Sequence, residues 1–473
     1  MTREYIKNEI FKEEDHGYHK ALKPRQIQMI AMGGAIGTGL FLGAGGRLAQ
    51  AGPSLVFVYA LCGFFAFLVL RALGELIMHR PSSGSFVSYA REFYGEKMAF
   101  VAGWMYWLNW AMTSIADVTA VALYMNFFKH YVPWLQSIDQ WMFAMTALIF
   151  VLSMNLLSVK VFGELEFWLS LIKVLSLVLF LGIGIYFVVT GTPIDGHQPG
   201  FNLILEGGGF FPHGILPALV VIQGVVFAYA SMELIGTTAG ETEDPRKIMP
   251  RAIRTVIYRL VIFYVGSVLL LTMLLPFSSY SAGESPFVTF FGKIGVDGAD
   301  IIMNLVVLTA VLSSLNAGLY STGRILHSMA ISGSAPSALG KMSKNGIPYV
   351  GIAMTALVTA IGVVLNAVVP AAAFEIALNM ASLGIITAWG VIILCQLKLW
   401  FLVRKKVIAP TEFRMCGAPY TGLLTLLFLF GVVVLMAVDY PLGSWTVGSL
   451  IIIIPALVIG WYYMRDRIYR LAK

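Results

Sequence analysis

Residues 27–46 read IQMIAMGGAIGTGLFLGAGG, and this stretch determines how the rest of the chain is interpreted. It is apolar and has the length of about 20 residues that an α-helix needs to cross a bilayer. Its second half is crowded with glycine, which destabilises a helix by roughly 1 kcal/mol relative to alanine. An opened turn in lipid also leaves peptide groups without water. The stretch therefore predicts a membrane helix interrupted near Gly37, where protein, a cavity or a ligand contacts the opened backbone.

The same glycines allow a second interpretation. Gly33 with Gly37, and Gly39 with Gly43, have the small-xxx-small spacing that lets two membrane helices pack closely. A dinucleotide-binding fingerprint fits the stretch less well than either interpretation, because the spacing after Gly39 is one residue too long and no βαβ pattern surrounds it. The stretch by itself leaves interruption and close packing open.

The composition is that of an integral membrane protein. Of the 473 residues, 58% are hydrophobic and 12% are charged, whereas soluble domains have about 25% charged residues. Residues 1–24 are charged throughout, which predicts a cytoplasmic tail and no cleavable signal peptide. The net charge of +7 does not predict nucleic-acid binding, because the basic residues are scattered between apolar runs. The cysteines and histidines lack the spacing of disulfide or metal sites, so neither is expected.

Twelve apolar runs are long enough to cross a bilayer. They cover residues 27–49, 54–78, 99–127, 141–159, 165–190, 213–238, 255–276, 298–329, 349–369, 373–401, 421–438 and 447–464. Most Lys and Arg between the runs fall on one side, and the other side has only Arg47, Lys129 and Lys293. The positive-inside rule then places both termini in the cytoplasm. One connection, residues 80–97, contains an aromatic-rich amphipathic segment that predicts a helix at the membrane surface.

A second interrupted helix is predicted in the sixth run, whose middle reads FAYASME at 227–233. The first and sixth runs correspond if runs one to five and six to ten are inverted copies of one five-helix unit. Paired interruptions in inverted halves indicate a transporter binding site at the membrane midplane, which favours the interruption at 37–39 over simple packing. The predicted organisation is listed by residue range: tail 1–24, first repeat 25–190, second repeat 213–401, helices 11 and 12 at 402–464, and tail 465–473.

The opened helices offer peptide groups of both kinds. The half-helix after Gly37 has free N–H groups and a positive dipole end, which suit a carboxylate. The half-helices that end near Ala35 and between Phe227 and Ala230 have free carbonyls, which suit an ammonium group. Together these groups fit the zwitterion of an α-amino acid.

Charged residues near mid-bilayer are costly and are functional candidates by default. The candidates are Glu75, Asp117, Lys173 and Glu233. Glu75 has Arg71 one turn away, which predicts a structural ion pair. Asp117 is a candidate for proton handling or for a hydrogen bond between helices, and Glu233 for orienting the second opened turn.

Lys173 lies in a long apolar run, LSLI before it and VLSLVLFLGIGIYF after it. Its ammonium could bridge the opened first helix to Ser313 or Ser314 of the eighth run and could gain and lose a proton during a transport cycle. The alternative is a lysine that extends its ammonium to the inner membrane surface.

Several segments together resemble a known family. They are GGAIGTGLFLGAG at 33–45, AGPSLVFVYALCG at 51–63, RALGELIMHRPSSGSFVSYAREFYGEKMAFVAGW at 71–104, FWLSLIKVLSLV at 167–178, FPHGILPALVVIQGVVFAYASMELIGTTAGE at 211–241 and SPFVTFFGKIG at 285–295. From about His16 onward the chain is similar to the amino acid transporter family of bacterial permeases, in the amino acid-polyamine-organocation superfamily. The resemblance implies an all-α leucine-transporter-like fold of twelve membrane helices, with a 5+5 inverted repeat (helices 1–5 and 6–10), interrupted helices 1 and 6, and helices 11 and 12 added.

The resemblance also implies a function. It implies import of a neutral α-amino acid, most closely L-asparagine, across the bacterial inner membrane with protons as the coupling ion and no other cofactor. GABA, serine, glycine and D-alanine are alternative substrates, because carriers of similar sequence take them. It further implies that Thr38 and Gly39 bind the substrate carboxylate, and that the carbonyls of Ala35, Phe227 and Ala230 bind its amine.

Other site residues are less determined. The resemblance puts Lys173 at the position where related transporters hold a cation, and relatives often have glutamate where Asp117 falls. Asn109, Thr113 and Ser231 either face the substrate side chain, where they could bind a carboxamide, or face a neighbouring helix.

Three other function classes were compared with symport. An exchanger without net proton coupling fits the same sequence. A membrane enzyme would need convergent His, Asp, Glu or Cys clusters at a membrane face, and a channel would need rings of like side chains from several subunits. The sequence has no such cluster, so no catalytic residue is predicted, and the inverted halves argue against a channel. The sequence does not indicate an oligomeric state.

Overall fold

The computed structural model of the chain describes residues 36–82, 84–157, 159–237, 250, 253, 255, 258–370 and 372–471. The predicted all-α class is confirmed for this part of the chain, in which the only β-pairing is an isolated bridge between Ile194 and His197. The α-helices are α1 (Thr38–Phe41), α2 (Gly43–Ala51), α3 (Leu55–His79), α4 (Ser85–Tyr94), α5 (Glu96–Phe128), α6 (Gln140–Asn155), α7 (Val159–Thr190), α8 (Phe201–Glu206), α9 (Ile215–Val220), α10 (Ile222–Ala228), α11 (Leu234–Thr237), α12 (Ser267–Leu274), α13 (Pro286–Lys293), α14 (Ala299–Ile331), α15 (Tyr349–Val368), α16 (Ala373–Arg404), α17 (Tyr420–Val438), α18 (Leu442–Gly448) and α19 (Leu450–Leu471).

Eight helical stretches in these ranges have the length and composition of membrane spans. They are Gly43–His79, Glu96–Phe128, Gly163–Thr190, Ala299–Ile331, Tyr349–Val368, Ala373–Arg404, Tyr420–Val438 and Leu442–Leu471, and three shorter apolar helical stretches occupy Gln140–Asn155, Ile215–Ala228 and Leu260–Leu274. Several apolar helices in one chain make this a multi-pass membrane protein. The count of twelve spans stays a prediction.

The centre of the bundle is formed by α5, which packs against α14 and α16. The most apolar window of α16 is 78% buried inside the protein, whereas that of the last span, Leu442–Leu471, is only 11% buried. The last span therefore lies at the periphery, and most of its apolar side chains face the lipid. The central helix α5 carries three of the predicted site residues, Asn109, Thr113 and Asp117.

Both glycine- or alanine-rich stretches depart from regular helix. Gly37 has an extended backbone (φ −131°, ψ −159°) directly before α1. In the sixth predicted span, α10 ends at Ala228, Ser231 has a positive φ of 79°, and α11 begins at Leu234. The half-helix predicted to end at Ala35 lies outside the described residues. The backbone is thus non-helical directly before α1 and between α10 and α11.

Two local expectations are corrected. Glu75 does not pair with Arg71: its Oε2 accepts hydrogen bonds from Gln396 Nε2 and from the Met415 N–H, both at 2.9 Å. Arg71 donates to the backbone oxygen of Arg414 instead. These partners come from α16 and from the loop that follows it, both distant in sequence, so spacing within one helix could not reveal them.

The predicted surface helix, α4, is helical but not at the surface. Its residues from Ser85 to Arg91 are buried, and it packs against α5 and α16. The ring of Phe86 meets that of Tyr106 edge-on at 4.8 Å. The apolar face assigned to lipid is therefore covered by protein.

An ion pair ties the loop after α7 to α13. Lys293 Nζ is 2.7 Å from Asp195 Oδ2. The hydrogen bond from Lys293 lowers the pKa of the exposed Asp195 carboxyl. Exposed pairs of this kind contribute little to stability, so the pair serves mainly to orient the loop.

We expect Gly384→Ala to destabilise the protein and Gly390→Ala, on the same helix, to be tolerated. A Cβ at Gly384 would lie 2.6 Å from Asn109 Cβ and 2.8 Å from Met105 O, whereas a Cβ at Gly390 would meet no atom within 4 Å. Overpacking costs about 1 to 3 kcal/mol, while alanine in an unobstructed helix stabilises by about 0.4 to 1 kcal/mol. The measurement is the thermal unfolding midpoint in detergent, and equal midpoints would contradict the close packing of α16 on α5.

Candidate functional site

The two opened helices touch through their backbones. A Cβ on Gly39 would lie 2.5 Å from Ala228 Cα, so only glycine allows α1 to approach α10 this closely. The two interpretations of the glycine-rich stretch therefore both apply. Gly37 provides the extended residue before the helix, and Gly39 provides the close contact between helices.

The peptide groups at the second break are partly bonded within the protein. Tyr264 Oη donates to the Ala228 carbonyl at 3.1 Å, and the Phe227 carbonyl accepts the Ala230 N–H at 2.9 Å. Tyr264 lies in a π-helical segment, Leu260–Gly266, a distortion frequent at functional sites. Of the carbonyls predicted to bind an amine, that of Phe227 already has one partner, and a carbonyl oxygen can accept a second.

The opened first helix is joined to α5 by a side-chain hydrogen bond. Thr38 Oγ1 donates to Asp117 Oδ1, and both residues are buried. Ser314 lies beside the Asp117 carboxylate, and its hydroxyl is close to Gly37. The structure therefore brings together four of the predicted site residues.

Lys173 continues this group. Its side chain is fully buried, and Nζ donates to Ser313 Oγ at 2.8 Å. The predicted bond to the eighth run is confirmed for Ser313, and the alternative of a lysine extending to the membrane surface is wrong. Asp117 is one of the charged neighbours of Lys173, so the ammonium lies between α5, α7 and α14.

A second buried carboxylate, Glu166, was missed from the sequence. Ser313 Oγ donates to Glu166 Oε1 at 2.6 Å, and Ser170 Oγ donates to the same oxygen at 3.2 Å. Asn316 Nδ2 is 3.4 Å from the other carboxylate oxygen. The spacing of Glu166, Ser170 and Lys173 was the available signal, because residues three and four apart share one face of a helix.

The predicted side-chain pocket residues differ in their surroundings. Asn109 is buried, and its side-chain Oδ1 has no hydrogen-bond partner among the described residues. Thr113 Oγ1 donates to the backbone oxygen of Asn109 at 2.8 Å, within its own helix. Ser231 is half-buried in the second break. An unpaired buried amide oxygen is costly and can accept an N–H group from a ligand.

Glu233 belongs to a different part of the protein. Tyr106 Oη donates to Glu233 Oε1 at 2.9 Å. Tyr106 and Asp117 are both on α5, and the helical rise separates them by roughly 16 Å along the axis. The structure therefore does not place Glu233 with the cluster around Lys173, and its contact with Tyr106 fits the role of holding the second break in position.

The Lys173 cluster contains one cation and two carboxylates, those of Asp117 and Glu166. Ser313 accepts from the ammonium and donates to Glu166, so its hydroxyl connects the two charges. The cluster reaches the opened first helix through Thr38. This arrangement can pass a change in protonation to the backbone of the break. Among the described residues, no group of three or more His, Cys, Asp or Glu side chains could hold a metal ion.

Comparisons with known proteins give a consistent result. The family model described as amino acid permease matches residues 26–472. The chain is 60% identical to L-asparagine permease 1 of Mycobacterium tuberculosis (strain CDC 1551 / Oshkosh) over 97% of its length and 93% of the relative. It is 60% identical to L-asparagine permease of Escherichia coli (strain K12), over 96% of this chain and 90% of the relative. It is 54% identical to L-asparagine permease of Streptomyces coelicolor (strain ATCC BAA-471 / A3(2) / M145), over 96% and 92%.

We expect Ser313→Ala to lower the unfolding midpoint more than Ser176→Ala does. The first change deprives two buried charged groups of a partner, which costs about 1 to 3 kcal/mol. The second removes a buried hydroxyl of α7 that donates to the backbone oxygen of Lys173 at 2.8 Å. The measurement is thermal unfolding in detergent at neutral pH. A larger loss in Ser176→Ala would contradict the assignment of Ser313 as the link between the charges.

Proposed function

Because the chain belongs to the amino acid permease family, we propose that it imports a neutral α-amino acid, L-asparagine, by proton symport with alternating access. It is a permease and not an enzyme. The choice of substrate is supported by the names of the similar proteins, which are L-asparagine permeases from several bacteria. The single structural observation that carries the proposal is the non-helical backbone at Gly37 and at 229–233, the first of which is joined through Thr38 to a buried charge cluster.

The proposed architecture is a leucine-transporter-like 5+5 inverted repeat plus two further helices, twelve spans in all. It is supported by the eight long and three shorter apolar stretches, the first of which, Gly43–His79, covers parts of the first two predicted spans. The proposed location is the bacterial inner membrane, with both termini cytoplasmic, as the distribution of Lys and Arg suggests. We make no proposal about the number of subunits.

In the proposed site the substrate carboxylate binds the first N–H groups of α1, those of Thr38 and Gly39. The first N–H groups of a helix lack intrahelical partners, and the helix dipole favours an anion there. The substrate amine binds backbone carbonyls at Ala35, Phe227 and Ala230. The carboxamide of L-asparagine then contacts polar groups such as the unpaired Oδ1 of Asn109, to which its NH₂ group can donate. Thr113 and Ser231 complete this pocket.

The formal charges of the cluster suggest how a proton takes part. Lys173 contributes +1, and Asp117 and Glu166 contribute −1 each, so the sum is −1. A net charge buried in the membrane is unfavourable, and one bound proton brings the sum to zero. We propose that this proton accompanies the substrate, and that Ser313, Ser314 and Thr38 transmit its binding to the opened first helix. Glu233 lies apart from this cluster, and we propose that it holds the second break in position through its hydrogen bond with Tyr106.

A second candidate is an exchanger that moves one amino acid against another without net proton flux. The same opened helices would bind its substrates. GABA, serine, glycine and D-alanine remain alternative substrates of a symporter. All of them have the carboxylate and the amine that the peptide groups of the proposed site bind. The two tests below separate these candidates.

We expect radiolabelled L-asparagine to enter proteoliposomes that contain the purified protein, and unlabelled L-asparagine to compete better than GABA, serine, glycine or D-alanine. The carboxamide is the group that distinguishes it. The measurement is initial uptake with each competitor in excess, in liposomes with and without an internal amino acid. Uptake of GABA or serine without uptake of asparagine would contradict the substrate. Uptake that requires an internal amino acid and ignores a pH gradient would favour exchange.

We expect Lys173→Ala to lose about tenfold or more of the uptake driven by an imposed pH gradient. A hydrogen bond to a charged group contributes about 1.5 to 3 kcal/mol, and 1.4 kcal/mol corresponds to a factor of ten. Counterflow of asparagine without a gradient should be reduced less, which distinguishes uncoupling from misfolding. The control is Lys405→Ala, a change at an exposed lysine. Undiminished dependence on the gradient in Lys173→Ala would remove Lys173 from the coupling mechanism.

A further inference from the structure

A groove lies between the beginning of α5 and the last helix, α19. It encloses about 590 Å³. Its apolar floor includes Phe100, Val101, Ile454 and Val458, and one end carries basic and aromatic side chains. The basic and aromatic residues at that end are Lys97, Trp461, Tyr462, Arg465 and Tyr469.

The two basic side chains of the groove are not neutralised by buried acids. The Lys97 ammonium lies 6.0 Å from the centre of the Trp461 ring, and Lys97 takes part in none of the ion pairs between described residues. Arg465 Nε is 3.4 Å from Asp466 Oδ1, but the Asp466 side chain is 76% exposed. The groove therefore presents positive charge.

Arg467, the neighbouring arginine, is used differently. Its Nη1 donates to Ala335 O at 2.9 Å and its Nη2 donates to Ala330 O at 3.1 Å. These bonds fix the end of α19 against the end of α14. The ring of Trp461 also meets that of Phe100 edge-on at 5.7 Å. The groove is thus held in place from both sides, and neither Lys97 nor Arg465 is a partner in these hydrogen bonds or in this ring contact.

The apolar floor of the groove continues along the lipid-facing side of α19. Ile451 is 78% exposed in the isolated chain, Ile454 55% and Val458 48%, which in a membrane means contact with acyl chains. Trp and Tyr are the residues that accumulate at the level of lipid headgroups. The groove therefore joins a positively charged end at headgroup level to a hydrocarbon surface.

We propose that this groove binds an anionic phospholipid. Its phosphate lies between Lys97 and Arg465, its glycerol region rests against Trp461 and Tyr462, and one acyl chain follows Ile454 and the residues beside it. Basic pockets between membrane helices recognise anionic headgroups in this way. A free anion would not use the apolar floor, and a zwitterionic lipid would place an ammonium group next to two cations. The site is independent of the transported substrate.

The test is competition of lipids for the purified full-length protein in detergent, followed by native mass spectrometry. Equal amounts of dioleoyl phosphatidylglycerol and dioleoyl phosphatidylethanolamine are supplied, and the retained lipid is counted. We expect phosphatidylglycerol to be retained preferentially. Lys97→Gln/Arg465→Gln should weaken its retention about 30-fold, because each basic residue near the membrane surface contributes about a factor of five.

The matched control is Lys405→Gln/Lys406→Gln, which removes the same charge from exposed residues; the Lys405 ammonium also lies over an aromatic ring, that of Phe401, at 4.5 Å. We expect this variant to retain phosphatidylglycerol as the unmodified protein does. An equal loss in both double variants, or equal retention of the two lipids by the unmodified protein, would overturn the proposal. Displacement of phosphatidylglycerol by 10 mM inorganic phosphate, about a hundredfold excess over a lipid at 0.1 mM, would assign the groove to free anions and also overturn it.

A second measurement covers the case in which the double variant does not fold. Phosphatidylglycerol brominated on its acyl chains should quench tryptophan fluorescence more than brominated phosphatidylcholine does, and this difference should disappear in Trp461→Phe. Persistence of the whole difference in Trp461→Phe would show that anionic lipid binds elsewhere on the protein and would contradict the groove.

Discussion

A peptide group inside a membrane must find its hydrogen-bond partner within the protein, because the hydrocarbon region contains no water. The structure meets this constraint at the second opened helix with a set of tyrosines. Tyr264 bonds the Ala228 carbonyl at the end of α10, and Tyr229 Oη donates to Tyr59 O at 2.8 Å. The rings of Tyr229 and Tyr264 stack at 4.6 Å. Tyr264 thereby satisfies one carbonyl of the break within the protein.

The charge cluster obeys the same constraint. Breaking a buried ion pair by removing one partner is strongly destabilising, because it leaves a charge without compensation. The Lys173 ammonium is therefore stabilised by the carboxylates of Asp117 and Glu166. Ser313 accepts a hydrogen bond from the ammonium and donates one to Glu166. A change in protonation alters this balance at the point where Thr38 joins the cluster to the first helix. In the proposed mechanism, the substrate site and the coupling site are connected through one threonine side chain.

Much of this organisation followed from the sequence. Glycine where a membrane helix should be uniform predicted the non-helical backbone at Gly37. A lone lysine in a long apolar run predicted a bond to Ser313 or Ser314, and the structure shows the bond to Ser313. Both inferences were possible because glycine in a membrane helix and lysine in an apolar run are unfavourable, and each can be recognised from its immediate neighbours in the sequence. The partners of Thr38 and of Glu75 could not be predicted, because they come from segments far along the chain. Glu166 was overlooked because it stands near the start of its run, where a carboxylate is ordinary, although its spacing from Lys173 indicated a shared face.

The binding roles of the individual residues are a different matter. Composition and spacing predict which peptide groups an opened helix exposes, but not which of them an internal side chain already uses. The carbonyl of Ala228 is one that Tyr264 occupies. The side-chain oxygen of Asn109 is one that the described residues leave unused. Such distinctions depend on rotamers at helix contacts and require coordinates.

The contact between Gly39 and Ala228 limits how the protein can change shape. The backbones of α1 and α10 are in direct contact at Gly39 and Ala228, with no side chain between them. Neither helix can therefore move closer to the other at this point. Thr38 is also hydrogen-bonded to Asp117 of α5. A path to the site therefore cannot open by a movement of α1 toward α10. We therefore expect α1 and α10 to move together as one rigid unit.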